Sequence, residues 1–275
     1  MGLQKNIDEG ILQVALNPAM GQKLHLLPDI FFRCPLASLQ ANIEIGWRSV
    51  VALNTFRSLT TFNPFVFSHY QVEQSQNTEV YGHIKGQYEG GIQYGLKSGV
   101  RMMNNLPVFV NDTAGDFKRM QIDYEARATA FMLEADLQFQ PQPEITAGTS
   151  FKWHPILQTR SGFKAWHYLP FQWNIFGQYN FRKDWQFNAD LFLRGASAAA
   201  MGYKGDANTY VRMNDPGIDL NLKASYRIEK GIFAYLELNN LMGSQYQRWY
   251  GYPQWGTQFF VGAQYLFNSN SPLAK

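Results

Sequence analysis

An apolar–polar alternation of period two recurs along almost the whole chain, and it constrains the fold more than any other feature. Ile218, Leu220, Leu222, Ala224, Tyr226 and Ile228 alternate without a break with Asp219, Asn221, Lys223, Ser225 and Arg227. Successive side chains of a strand point to opposite faces, so this pattern describes a strand with one apolar face. The same pattern runs through Trp185, Phe187, Ala189, Leu191 and Leu193, through Leu39, Ala41, Ile43, Ile45 and Trp47, and through Ile145, Ala147, Thr149, Phe151 and Trp153. Others begin near Val80, Ile92, Thr129, Phe171, Ala234 and Thr257, with weaker ones near Leu12 and Leu24. No segment carries a helical period. The spacing predicts about twelve strands of roughly 9 to 13 residues, longer than most soluble strands and suited to tilted membrane-spanning ones.

The connections support one architecture. Turn-like Glu89-Gly90-Gly91, Pro141-Gln142-Pro143, Arg182-Lys183-Asp184 and Glu229-Lys230-Gly231 alternate with long stretches over 54–77, 104–118, 155–169, 196–216 and 241–256. Tight turns on one rim and long loops on the other describe an all-β, antiparallel up-and-down transmembrane barrel. At about twelve strands, residues 1–275 read as a single barrel domain, whole or half of a larger one, with the last strand ending at 267 and a tail over 268–275.

Alternation alone does not say which face is outside. A soluble sandwich hides its apolar face, whereas a membrane barrel turns it to lipid. Aromatic residues make up 16% of the chain and charged residues only 16%, against about 25% charged in an ordinary soluble domain. Trp47, Tyr88, Trp153, Trp173, Tyr179, Phe181, Trp185, Tyr226, Tyr265 and Phe267 all fall on the apolar face, mostly toward strand ends, as interfacial girdles do. Gly82, Gly86, Gly177 and Ala189 sit mid-strand on that face, where a packed core would tolerate them poorly. The opposite face mixes charge signs: Arg48, Lys85, Lys97, Arg101, Lys152, Arg194, Lys223 and Arg227 with Glu44, Glu89, Glu134, Asp136, Asp190, Asp219 and Glu237. These are the candidate lumen residues, and their near balance argues against a strongly ion-selective pore. Structural salt-bridge networks are the plainer role for them.

Other classes drop out. No run of roughly 18 apolar residues exists for a spanning helix, and mean hydropathy is −0.31. A net charge of +3 is too dispersed for a nucleic-acid partner. Residues 1–10 lack the layout of a signal peptide, so an exported form is expected to be a mature chain or a fragment. The single Cys34 permits no internal disulfide. His25, His69, His83, His154 and His167 show no metal-ligand spacing, and no cofactor is expected. Ser150 and His154 share the polar face but lie about 13 Å apart along a strand at 3.3 Å per residue, too far for a nucleophile and its base, so no enzyme is expected.

The last strand contains Gly262, Tyr265 and Phe267 in the spacing Gly-x-x-aromatic-x-aromatic, which resembles the C-terminal assembly signal of bacterial outer-membrane barrels. Upstream, Asn240, Leu241, Met242, Gly243, Tyr246, Gly251, Tyr252, Pro253 and Gly256 follow a pattern similar to the penultimate strand and loop of TonB-dependent receptors. Leu27-Pro28-Asp29 and Pro107 to Asn111 are similar to barrels of the Bacteroidota type. The resemblance implies a plugged 22-stranded barrel in the outer membrane, importing scarce ligands with energy from an inner-membrane TonB-type partner and assembled by the barrel-assembly machinery. The sequence shows about half those strands and no recognisable plug or coupling motif. It is therefore expected to be the C-terminal half of a longer barrel or a smaller relative, embedded in outer-membrane lipid and acting in nutrient uptake or in a larger envelope complex. A passive porin or structural barrel, and a soluble β-sandwich binding module, remain the alternatives.

Overall fold

The computed structural model describes residues 2–7, 9–21, 23–67, 72–112, 118–200, 210–212 and 217–266. Phe267, His69 and most of the 196–216 connection lie outside the described residues. The strands are β1 (Gly2–Ile7), β2 (Gly10–Met20), β3 (Leu24–Leu36), β4 (Ala41–Ala52), β5 (Ser75–Tyr88), β6 (Ile92–Asn111), β7 (Met120–Gln142), β8 (Ile145–Trp153), β9 (Ile156–Thr159), β10 (Phe171–Phe181), β11 (Trp185–Arg194), β12 (Ala198–Ala200), β13 (Tyr210–Arg212), β14 (Gly217–Glu229), β15 (Ile232–Asn239), β16 (Gln247–Trp249), β17 (Tyr252–Pro253) and β18 (Gln258–Tyr265). One helix, α1, spans Phe56–Phe62.

A single 14-stranded sheet follows chain order, β1 through β8, then β10, β11, β14, β15 and β18, with β9 set against β7. Each strand on this path is antiparallel to the next, as the alternation of turns and loops requires. Left-handed Gly90, Gly91 and Gly231 make two of the tight turns, with φ of 85°, 78° and 82°, a conformation that glycine reaches without a Cβ penalty.

The apolar face is the exposed one. Ile45 is 61% exposed, Val80 48%, Leu137 46%, Phe187 41% and Val261 75%. An apolar surface this continuous belongs against lipid. The soluble sandwich is thereby excluded, and the transmembrane barrel reading stands. On the inner face, small residues admit bulky neighbours: a Cβ at Gly262 would lie 2.6 Å from the Tyr235 hydroxyl, and one at Gly46 would lie 2.7 Å from that of Tyr81. Gly262 thus seats a cross-strand aromatic, while Tyr265 points outward and is 56% exposed.

Three differences from the sequence reading have physical causes. The 104–118 stretch expected as a loop is mostly strand, because β6 and β7 run on as a paired ribbon of 20 and 23 residues. Asn104, Asn105 and Pro107 suggest a loop, yet Asn105 takes a left-handed φ of 52° that Asn tolerates, and its carbonyl accepts the Ser75 hydroxyl at 2.6 Å. α1 is too short for a helical period to register. It forms because Thr55 and Ser58 make a capping box, with the Ser58 amide donating to Thr55 Oγ1 at 3.1 Å. β1, at six residues, is likewise too short for its alternation to stand out.

The compact apolar clusters lie at the loop end of the barrel. Leu59, Phe109, Met120 and Trp249 form one, and Val108, Trp166 and Ala200 another. The extended β6–β7 ribbon carries this cap beyond the sheet.

Candidate functional site

Register builds the inner surface. One row of directly opposed residues crosses nine strands: Arg33, Glu44, His83, Lys97, Glu134, Lys152, Gln172, Arg194 and Gly217. A second row sets Asp29 against Arg48, Arg48 against Glu79 and Glu79 against Arg101. Charges of alternating sign meet as cross-strand neighbours, the favourable arrangement on a sheet face.

The pairs are specific. Glu44 accepts from Arg33 at 2.5 Å and from the Tyr81 hydroxyl at 2.6 Å. Arg48 donates to Asp29 at 2.8 Å. Glu79 receives Lys97 at 2.7 Å and Arg101 at 2.7 Å. Glu134 lies 2.9 Å from His154 and 3.7 Å from Arg101. Lys223 meets Glu237 at 3.5 Å, and Arg227 meets Asp184 at 3.0 Å in the β10–β11 turn. Among the residues expected in the lumen, Glu44, Arg48, Lys97, Arg101, Glu134, Lys223 and Glu237 therefore join networks. Asp136 lies opposite Gly95 and Ser150, and Asp190 opposite Phe176 and Asn221. Lys85 and Lys152 are exposed on the inner face, Glu89 is exposed in a turn, and Arg227 sits at the turn rim. Asp29, Arg33, Glu79 and Tyr81 were not anticipated. Parity would have placed Glu79 on the polar face had β5 been started a few residues earlier.

Above these rows, beneath the loop cap, lies a cavity of about 580 Å³. Arg101, His154, Gln172 and Arg194 reach it from the strands, Ser58 and Phe62 from α1, Trp166, His167 and Tyr168 from the β9–β10 connection, and Arg248 from β16. None of its lining residues is Asp or Glu. His167, 2% exposed, pins the cap: its Nδ1 donates to the Phe109 carbonyl at 2.8 Å, and its Nε2 accepts the Tyr250 amide at 3.2 Å. Burial holds its pKa down to about 4. Trp249 meets Phe109 edge-on at 5.1 Å and Phe62 at 5.6 Å.

The stretch resembling the TonB-dependent pattern is a built loop. Asn240, left-handed at φ 48° and 3% exposed, donates from Nδ2 to the carbonyls of Ser244 at 2.8 Å and Trp255 at 2.7 Å, and accepts the Ser244 amide at 3.1 Å. Tyr246 donates to Asp219 at 3.4 Å, and Tyr252 stacks on Phe65 at 3.4 Å.

A meandering antiparallel sheet with lipid-facing aromatics, an inner face of paired charges and a loop cap on one rim defines an outer-membrane-type β-barrel. No protein-family model and no curated protein matches the sequence. Solved structures do match the fold. The ferripyoverdine receptor of the outer membrane of Pseudomonas aeruginosa aligns with a TM-score of 0.66 at 14% identity, over 96% of this chain and 37% of that one. A ferric enterobactin receptor mutant from Pseudomonas aeruginosa, in complex with enterobactin, aligns at 0.66 and 13% identity, over 95% and 44%. The copper transporter OprC aligns at 0.61 and 13%, over 96% and 46%. The fold is that of the barrel region of TonB-dependent outer-membrane receptors, and the chain spans less than half the length of the structures it matches.

Proposed function

We propose that the chain is barrel wall and vestibule of an outer-membrane receptor that takes up a small ligand from outside the cell, without catalysing a reaction on it. The observation that carries this reading is the cavity of about 580 Å³ between the charged inner face and the loop cap, within the usual range for small-molecule sites. The fold likeness to receptors and a transporter supports it.

Sheet topology supports membership of a larger barrel. Thirteen strands lie on the sheet path, so β1 and β18 run in the same direction. Lipid leaves no open strand edge, and bacterial barrels have even strand numbers. Antiparallel closure then takes an odd number of further strands between β18 and β1. In this reading residues 1–275 are one barrel unit, delivered by the barrel-assembly machinery and energised through a TonB-type partner.

Outer-membrane fractionation with heat-modifiable gel mobility tests the location. Conductance in planar bilayers tests the mechanism: a receptor stays closed without its energy source, whereas steady open channels would establish the passive porin instead.

A further inference from the structure

The inner-face networks pair Arg33, Arg48, Lys97, Arg101 and Lys223 with carboxylates; Lys85 and Lys152 stand exposed on that face, and two further cations, Arg194 and Arg248, line one cavity. Arg101 is matched by Glu79 and Glu134, but Arg194 and Arg248 have no carboxylate partner among the described residues. Both are partly buried. Arg194 lies 5.4 Å over the Tyr246 ring, and Arg248 lies 4.1 Å over Trp249 and 5.4 Å over Phe62. One Arg248 nitrogen, Nη1, is engaged, donating to the His167 carbonyl at 2.8 Å, which fixes the guanidinium in place.

Aromatic faces hold a cation but do not replace a counter-ion. Two guanidinium groups near each other and partly drawn from water repel, and among the described residues no protein acceptor meets their N–H donors beyond the bond from Arg248 to His167. Burial and the neighbouring charge of Arg194 hold the Arg248 pKa down to about 10, consistent with a cation lacking a compensating anion. Lys152, which with Arg194 lines an adjoining space of about 200 Å³, adds a third positive group.

We propose that Arg194 and Arg248 form an oxyanion-binding site in this cavity, taking a small ligand with at least two carboxylate or phosphate oxygens. Guanidinium forks match such groups bidentately. Arg194 comes from the end of a wall strand and Arg248 from the cap, so a bridging anion ties the cap to the barrel. This inference rests on the receptor reading for its biological meaning, but its test requires no transport.

The intact protein in detergent is titrated with citrate or with inorganic pyrophosphate, read by tryptophan fluorescence, since Trp166 and Trp249 border the site; triethyl citrate serves as the uncharged control. Saturable binding of either anion, absent for the ester, is expected. Arg194→Gln and Arg248→Gln should each weaken it at least tenfold, while Arg194→Lys, keeping charge but not the fork, should weaken it less. Arg33→Gln, on the far side of the inner face, should leave it unchanged. Heat-modifiable mobility verifies that each variant is folded. Absent saturation, or equal weakening by Arg33→Gln, overturns the site. Anion binding by a barrel that conducts freely would retain the site and refute the receptor.

Discussion

His167 accepts the backbone N–H of Tyr250 on Nε2 at 3.2 Å while its Nδ1 donates to the Phe109 carbonyl. Both ring nitrogens are committed, and only the neutral imidazole satisfies both partners. Two loops and the β6 extension are thereby joined through one side chain that a proton would disable.

A pH dependence of the cap follows. In the closed cap His167 takes a proton only near pH 4, whereas the freed side chain takes it near 6.5. Between those values the open state binds more protons, so stability falls as pH falls from about 6.5 toward 4 and is full above that window. The contribution is on the order of 3 kcal/mol. The protection of the Tyr250 amide, its exchange measured relative to that of the same amide in an unstructured peptide at the same pH, should fall as the solution is acidified through this window. In His167→Gln, that fall in protection should be absent.

Leu222 faces outward between Ala189 and Leu238, and Gln186 faces inward on the neighbouring strand. Leu222→Arg should cost about 2 to 4 kcal/mol in unfolding from a bilayer, and Gln186→Arg less than about 1 kcal/mol. Equal costs would reverse the assignment of faces.

Glu79 holds both Lys97 and Arg101. Glu79→Gln leaves two partly buried cations facing each other and should lower stability by about 1 to 3 kcal/mol, read as a lower temperature of heat modification. Adding Lys97→Met should recover part of that loss; no recovery would mean that the pairing is not what was lost.

Asn240 makes three side-chain hydrogen bonds from a left-handed backbone. Asn240→Ala should therefore cost about 2 to 4 kcal/mol locally and expose the 241–256 loop to protease. Asn240→Gly loses the same bonds without the backbone penalty, so it should be cut more slowly than the alanine variant. Faster cutting of the glycine variant would show that the strained φ is not limiting.

Period-two alternation by itself determined the strand class and the face to which each residue belongs; turn residues added the order of turns and long connections, and aromatic and charge content the lipid-facing role of residues such as Trp185 and Leu222. The face assignment follows because a strand's side-chain direction is local, set by residue parity along the backbone. The pattern running from Asn240 to Gly256 also pointed to a receptor-type barrel, since its unusual backbone selects particular residues. Only the tertiary structure decided which charges meet. Arg33 finds Glu44 and Lys97 finds Glu79 because register, set by neighbouring strands and turns, brings them opposite or diagonal, and parity within one strand carries no register. Nor was the cap legible: His167, Tyr250 and Phe109 are far apart in sequence and converge only where the long β6–β7 ribbon lifts three loops into contact. The cavity, and the two arginines that share it, exist only in that convergence.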